Sequence, residues 1–514
     1  MPKAIDLFCG AGGFSEGILQ SGFDIVFSSD RSIEVMKTYT NRHEQLGIIE
    51  GKHTHFELCD IKELTGEKIF KAINNLEEFK TTHIAKGDID VIFGGPPCQG
   101  FSRAGKRDAN DPRNMLFHEY LRIIKEVKPK YVVMENVTGF MDMQMLDFPS
   151  VINDKAYMGQ VLVSEILQKE LKDIGYNVIK PQVLNAADYG VPQNRKRIIF
   201  LAYLEGNTKP NYPEPSNRRV TVKEALSGIN NNGKSSYHRE SRKGRTLDIH
   251  GEYVCNFEIM NNDMSVHTKS VKQRFSLYEN GEDTKNLKDR ILKEPINLKE
   301  KYPELFYETL FFVNKDSNII GLKQILASSN SKLTESELSN YRWLNDTNKL
   351  LGMIFSKPEN IEMLILKLKK RLKINDVEGL IKKFESQLNK IVTPLELELA
   401  FKLGKPSANM IEALLTRKNM RRRLNKDGQS PTIVTLPDDF IHPFEDRVLS
   451  VREMARLQSF DDSFEFLGKR TTGGVKRKSE VPQYTQVGNA VPPLLAKAIA
   501  DSIKDAINKK SNPL

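Results

Sequence analysis

Short apolar runs alternate with amphipathic stretches through the first two hundred residues. Residues 3–8, 23–28, 90–93, 131–135 and 197–203 are β-rich and bounded by Gly, Pro or charge, the pattern of buried strands. Residues 14–21, 32–43, 114–127 and 159–174 carry apolar side chains at helical spacing between them. Strand and helix in alternation predict an α/β fold built on a doubly wound, mostly parallel sheet.

The pattern changes after residue 207. Pro210, Pro213 and Pro215 interrupt it, and residues 228–236 (GINNNGKSS) are polar and turn-rich. From 286 to 424 the chain is rich in Lys, Glu and Leu, with helix-like spacing at 363–373 and 379–391. A β-rich pattern returns at 432–436, and residues 494–507 read as an amphipathic helix. Three segments are expected: 1–215, a partly helical domain inserted at 216–430, and 431–514 completing the first.

Composition adds a partner and removes a compartment. The chain has 514 residues, 39% hydrophobic and 28% charged, as in globular proteins. Lys and Arg number 77 against 67 Asp and Glu, a net charge of +10 that suits a polyanionic partner and, on charge alone, equally a solvated basic surface with no partner. No apolar run reaches the ~18 residues of a membrane span. Glycines within 9–17 break the first apolar stretch, so no signal peptide is expected and a cytoplasmic setting is. The four cysteines, Cys9, Cys59, Cys98 and Cys255, form neither a disulfide framework nor a CxxC zinc pair, so no metal is expected.

Three segments carry chemistry. In DLFCGAGGFSEG (6–17) an apolar strand enters Gly10, Gly12 and Gly13 and then a helix, a turn suited to close approach of a ligand. Ser15 stands where a dinucleotide fingerprint has its third glycine, which disfavours a nicotinamide dehydrogenase. Asp30 ends the next strand, where a ribose would need an acceptor, and Asp60 could serve an adenine edge. The absent pyrophosphate signature points to a nucleoside cofactor without phosphates, S-adenosylmethionine; the alternative is that the glycines only make a turn.

In GGPPCQGFS (94–102), Cys98 follows a strand directly, where open α/β sheets place their ligands. Carbon 5 of cytosine is a poor nucleophile. A thiolate adding to carbon 6 makes it an enamine-like one, at the cost of negative charge on the ring. Glu135, ending the strand 131–135, could hydrogen-bond the amino group and protonate N3; it could equally cap or salt-bridge. Arg195 and Arg197 in QNRKR (193–197) share one face of an extended chain and could hold a pyrimidine carbonyl, orient Glu135 or meet phosphate.

Together with ENV (135–137), DYGVPQNRKR (188–197), REMARLQSF (452–460) and QVGNAVPP (486–493), these segments closely resemble, in order, the motifs of the cytosine-C5 DNA methyltransferases. The resemblance covers roughly the first 200 residues and the last 80. It implies a Rossmann-like catalytic domain, a C-terminal helix that returns to complete it, and a target-recognition domain between. It implies Cys98 as nucleophile, Glu135 as the N3 partner, and Arg195 and Arg197 supporting the base. Phe8, Gly10, Ala11, Gly12, Asp30, Asp60, Ile61, Pro97, Leu116 and Asn489 would line the S-adenosylmethionine pocket. Asp30 stands where the family often has Glu. Residues 103–113 (RAGKRDANDPR) are similar to the family's loop that closes over DNA, so Gln99, Ser102, Arg103, Lys106 and Arg107 would contact DNA. The target cytosine would have to be rotated out of the duplex.

Double-stranded DNA is thus the expected substrate, with a cognate restriction endonuclease acting on the same site without a stable complex, and the enzyme itself a monomer. A tRNA cytosine-5 methyltransferase and a catalytically inactive DNA-binding homologue stay open. In the middle segment, His267 and Arg274-Phe275 echo the start of recognition regions in some members. Residues 367–373 and Arg421-Arg422-Arg423 are candidate phosphate contacts, against the reading of 367–373 as a solvated helix face.

Overall fold

The computed structural model describes residues 1–97, 115–152, 156–216, 218–230, 233–329, 332–416, 418, 420–472 and 480–511. The chain forms two compact units. The first comprises Met1–Asp263, Lys426–Pro437 and Leu449–Leu514; the second comprises Met264–Asn425 and Asp438–Val448. The first unit therefore runs well past residue 215. Tyr237 is one reason: it is 1% exposed and its hydroxyl donates to the Arg456 carbonyl within the same unit.

The first unit holds β1 (Lys3–Leu7), β2 (Asp24–Asp30), β3 (His55–Leu58), β4 (Val91–Gly94) and β5 (Tyr131–Val137). A hairpin follows, β6 (Gln144–Pro149) with β7 (Ala156–Leu162), then β8 (Tyr176–Val178), β9 (Gln182–Asn185) and β10 (Lys196–Leu204). The main sheet runs β3-β2-β1-β4-β5-β10-β8, with β9 also on β10. Strands β1 to β5 are parallel; β10 is antiparallel to β5, β8 and β9. The central strands are apolar on both faces because helices cover both faces.

On one face lie α1 (Gly13–Gln20) and the C-terminal helix Pro493–Ser511, joined through Phe14, Ile18, Leu495, Ala496 and Ile499. Glycine sets that contact. A Cβ on Gly13 would come within 2.4 Å of the Val491 carbonyl oxygen, and one on Gly17 within 2.3 Å of the Lys497 nitrogen. Two glycines of the nominal cofactor motif thus serve helix packing. On the other face, α3 (Gly66–Asn75), α4 (Leu116–Val127) and α5 (Val163–Ile174) bury Ile69, Ile73, Leu121, Ile124, Leu167 and Leu171. Helix α2 (Ile33–Gln45) starts at Ser32, whose side chain accepts from the Val35 N–H.

Two expected elements differ. The helix expected over 159–174 begins only at Val163, because residues 156–162 pair with β6 and Gly159 has a φ of 76°. Residues 432–436 form no strand. The Ile433 N–H is taken by the Gln193 side chain, its carbonyl by Arg195, and the Thr432 hydroxyl donates to the Asn194 carbonyl.

Among its described residues the second unit is helical, from Lys269–Ser276 to Ala408–Leu415, with a two-residue strand pair, Arg422–Arg423 with Phe440–Ile441. Apolar side chains cluster around Phe275, Leu287, Phe306 and Leu414 and, separately, around Leu322, Leu351, Leu368 and Phe384. Its basic runs are largely absorbed by the fold. Arg423 donates to the carbonyls of Phe275, Tyr278, His442 and Glu445 and pairs with Asp446 at 2.5 Å. Arg422 pairs with Asp283, and Arg421 lies over the Phe275 ring. Arg274 donates to the Leu414 carbonyl and to Glu308, and His267 accepts from the Val448 N–H. Arg371 stacks on Trp343 and Lys373 pairs with Glu337, while Lys367, Lys369 and Lys370 stay exposed.

Candidate active site

Parallel register brings the carboxyl ends of β1, β2, β4 and β5 to one edge of the sheet. Leu7 pairs with Ser29 and Gly94, and Gly94 with Met134. Because β10 is antiparallel, its first residues arrive at the same edge, with Arg197 opposite Val137. Strand order reverses at β1, which has β2 on one side and β4 on the other, the place where open α/β sheets bind ligands.

The glycine turn after β1 is built from left-handed residues: φ is 56° at Phe8, 54° at Gly10 and 95° at Gly12. Phe8 accepts a conformation that side chains normally avoid, a strain found at functional sites. A Cβ on Gly10 would meet no atom within 4 Å, so the turn faces open space there. Gly12 begins α1 without any side-chain cap, leaving the helix N–H groups for a ligand. Asp30, at the end of β2, accepts from the Gly10 N–H at 3.2 Å and the Ser32 N–H at 2.9 Å. Burial raises its pKa above the usual carboxylate range. Asp60 follows β3 and accepts from the Lys62 N–H, and Ile61 beside it is buried. Phe8, Gly10, Ala11, Gly12 and Asp30 are thus gathered in one turn, with Asp60 and Ile61 one strand further out. A nucleoside with an anionic tail fits this set of donors and acceptors.

Beneath the turn lies a polar network that sequence reasoning did not single out. Asp6, 1% exposed, accepts from the Ser15 hydroxyl at 2.5 Å. The Tyr39 hydroxyl meets Ser15 at 3.1 Å and Ser28 at 2.6 Å. The Tyr39 ring also packs under Gly12, where a Cβ would fall 3.3 Å away.

At the other end of the edge, Arg197 Nε meets Glu135 Oε1 at 2.7 Å. Asn136 donates from Nδ2 to the Pro96 carbonyl at 3.2 Å and so fixes the turn from β4 into Pro97. Arg195, two residues before Arg197, makes different contacts. It is 3% exposed and donates to the carbonyls of Ile433 and Gly488. Its neighbour Gln193 is fully buried and donates to the Leu457 carbonyl and the Gln458 side chain, which in turn reaches the carbonyls of Val487 and Ala490. Buried amides therefore stitch three motif segments together. Residue types alone gave no signal for this, because the acceptors are backbone atoms distant in sequence.

Leu116 is buried at the start of α4, and Pro97 is half-buried. Asn489 is exposed and lines a cavity of about 150 Å³ with Thr435, Tyr484 and Thr485. Its neighbours Ala490 and Val491 touch α1 at Gly13. Cys98, Gln99, Ser102, Arg103, Lys106 and Arg107, with the rest of 103–113, lie outside the described residues.

A reversing parallel sheet, a strained glycine turn and a carboxylate–guanidinium pair share one edge, the place where α/β enzymes bind their ligands. Comparison with known proteins identifies the family. The profile of the C-5 cytosine-specific DNA methylases matches residues 2–505, and the chain belongs to that family. It is a DNA (cytosine-5-)-methyltransferase of the restriction-modification type. Type II methyltransferase M.DdeI of Desulfomicrobium norvegicum is 26% identical over 521 residues, covering 97% of this chain and 88% of the relative. M.AgeI of Thalassovita gelatinovora is 28% identical, covering 98% and 100%. M.AquIA of Picosynechococcus is 35% identical over 51% of this chain and 88% of its own length.

Proposed function

We propose that this enzyme methylates carbon 5 of a cytosine rotated out of a specific duplex DNA site, taking the methyl group from S-adenosylmethionine, and that it protects that site from a cognate endonuclease. The convergence of the glycine turn, the Pro96–Pro97 turn and the Glu135–Arg197 pair on one sheet edge carries this reading. When bound, S-adenosylmethionine supplies an electrophilic methyl group on a sulfonium. Phe8, Gly10, Ala11, Gly12, Asp30, Asp60, Ile61, Pro97, Leu116 and Asn489 would hold it.

Cys98 adds as thiolate to carbon 6, forming a carbon–sulfur bond and pushing electron density to carbon 5. Glu135 hydrogen-bonds the exocyclic amine and supplies a proton at N3, held in register by Arg197. Carbon 5 takes the methyl group, its proton leaves to a base, and the carbon–sulfur bond breaks to free Cys98. Extrusion of the base is required because a stacked cytosine exposes neither face to a thiolate. Arg195 braces the segments that surround the base rather than holding the base itself. Gln99, Ser102, Arg103, Lys106 and Arg107 are assigned to DNA by motif, and the second unit to target recognition.

The test is transfer of labelled methyl groups to duplex DNA and to tRNA, followed by bisulfite sequencing of DNA from an expressing host. Cytosines converted to 5-methylcytosine at one recurring duplex sequence are expected. Transfer to tRNA alone, or to neither, would overturn the proposal.

A further inference from the structure

The reaction uses one edge of the sheet and leaves the other free. Tyr203, near the end of β10, pairs with Tyr131 at the start of β5, whereas Arg197 pairs with Val137 at its end. The seven residues of β5 hold these two ends about 20 Å apart, at about 3.3 Å per residue. A ligand beside Tyr203 is therefore remote from the Glu135–Arg197 pair.

An open cavity of about 590 Å³ lies at this amino edge, against β8, the terminal strand of the sheet. Three separate elements each bring a lysine to it: Lys172 from the last turn of α5, Lys180 just after β8, and Lys209 beyond β10. All three are exposed. Against them the described lining sets one acid, Glu205, which leaves the cavity a net charge of +2. Asn177 and the half-buried Tyr203 complete its polar wall. The Ile179 N–H donates inward to the Leu201 carbonyl, so the N–H groups of Val178 and Lys180 on either side turn outward. Two of the last α5 carbonyls, Leu171 and Lys172, which would repel an anion, accept from the Gly175 N–H instead.

A lysine beside a terminal strand can serve merely to stop another strand from pairing there. That accounts for Lys180. Lys172 and Lys209 come from other elements, guard no strand edge, and still converge on the same cavity. Lysine is a point charge on a flexible stem, suited to phosphate and blind to base sequence. Three such stems around an open cavity fit a row of phosphates along a polymer.

We propose that this cavity takes the phosphate backbone of duplex DNA lying outside the methylated segment. The enzyme then holds a second stretch of DNA at its amino edge while the carboxyl edge works on the first. Contact is by charge and hydrogen bonds alone, independent of sequence and weakened by salt. This inference rests on duplex DNA being the substrate.

Fluorescence anisotropy of the full chain on a long duplex of random sequence, across a salt series, tests it. Combining Lys172→Ser, Lys180→Ser and Lys209→Ser should lower the slope of log affinity against log salt by about 2, and weaken low-salt binding about tenfold. On a duplex just long enough for methyl transfer, kcat and KM should stay as they were. Arginine at the same three positions should restore the slope. Glu205→Gln removes the acid from the cavity and should act in reverse, tightening low-salt binding of the long duplex about twofold. An unmoved slope in the triple serine variant, or an equal loss on the short duplex, would overturn the inference. So would loss of inorganic pyrophosphate binding with the DNA slope unchanged, which would make the cavity a small-anion site. A full chain that binds no duplex at any salt would instead overturn the substrate reading.

Discussion

Arg197 in the first unit and Arg423 in the second each pair with a carboxylate, yet they are used in opposite ways. Arg197 meets Glu135 through Nε and the Lys196 carbonyl through Nη1; among the described residues its Nη2 makes no hydrogen bond. Arg423 spends Nε and both terminal nitrogens on four carbonyls and Asp446. One guanidinium stands at a strand end with donors to spare, and the other is saturated by its own fold. An arginine-rich stretch therefore says little until the backbone shows where its donors go. Arg197 stands at the carboxyl edge of the parallel strands, and Arg423 does not.

The contrast can be broken at either end. The largest effect is expected from Glu135→Gln, which keeps the shape and removes the acid: kcat should fall roughly a hundredfold to ten-thousandfold, with the melting temperature little changed. A drop in stability of the same size as the loss of activity would make Glu135 a structural partner of Arg197. Arg423→Ala should do the reverse. It strands Asp446 and four carbonyls and should cost about 3 kcal/mol in denaturant unfolding, while any folded fraction keeps its kcat. A stable Arg423→Ala protein with impaired methyl transfer would place this residue in function after all. The smallest effect belongs to the triple change of Lys367, Lys369 and Lys370 to Ala. As a solvated helix face, these should shift stability by less than about 0.5 kcal/mol and leave DNA affinity within twofold at matched salt. A steep loss of affinity would restore their reading as phosphate contacts.

Strands β1, β4 and β5 were legible because burial on both faces writes itself as an uninterrupted apolar run. Strand β3, His55–Leu58, was not, because it lies at the edge of the sheet and only Phe56 is buried. The β6–β7 hairpin was missed for a similar reason. Its two strands are mostly exposed, and the residues of β7 were taken into the following helix. At the site, Asp30, Glu135 and Arg197 could be read from their places at strand ends. Asn136, Gln193 and Gln458 could not, since their partners are the carbonyls of Pro96, Leu457 and Val487.

The central claim is that Cys98 bonds covalently to carbon 6 of the target cytosine. Duplex DNA carrying 5-fluorocytosine at the target tests it most directly, because fluorine cannot leave carbon 5 as a proton does and the adduct cannot resolve. With S-adenosylmethionine present, a denaturant-resistant protein–DNA species should accumulate, map to the Cys98 peptide by mass spectrometry, and disappear in Cys98→Ser. A turning-over enzyme that forms no such species, or a Cys98→Ser variant that still methylates, would contradict the account.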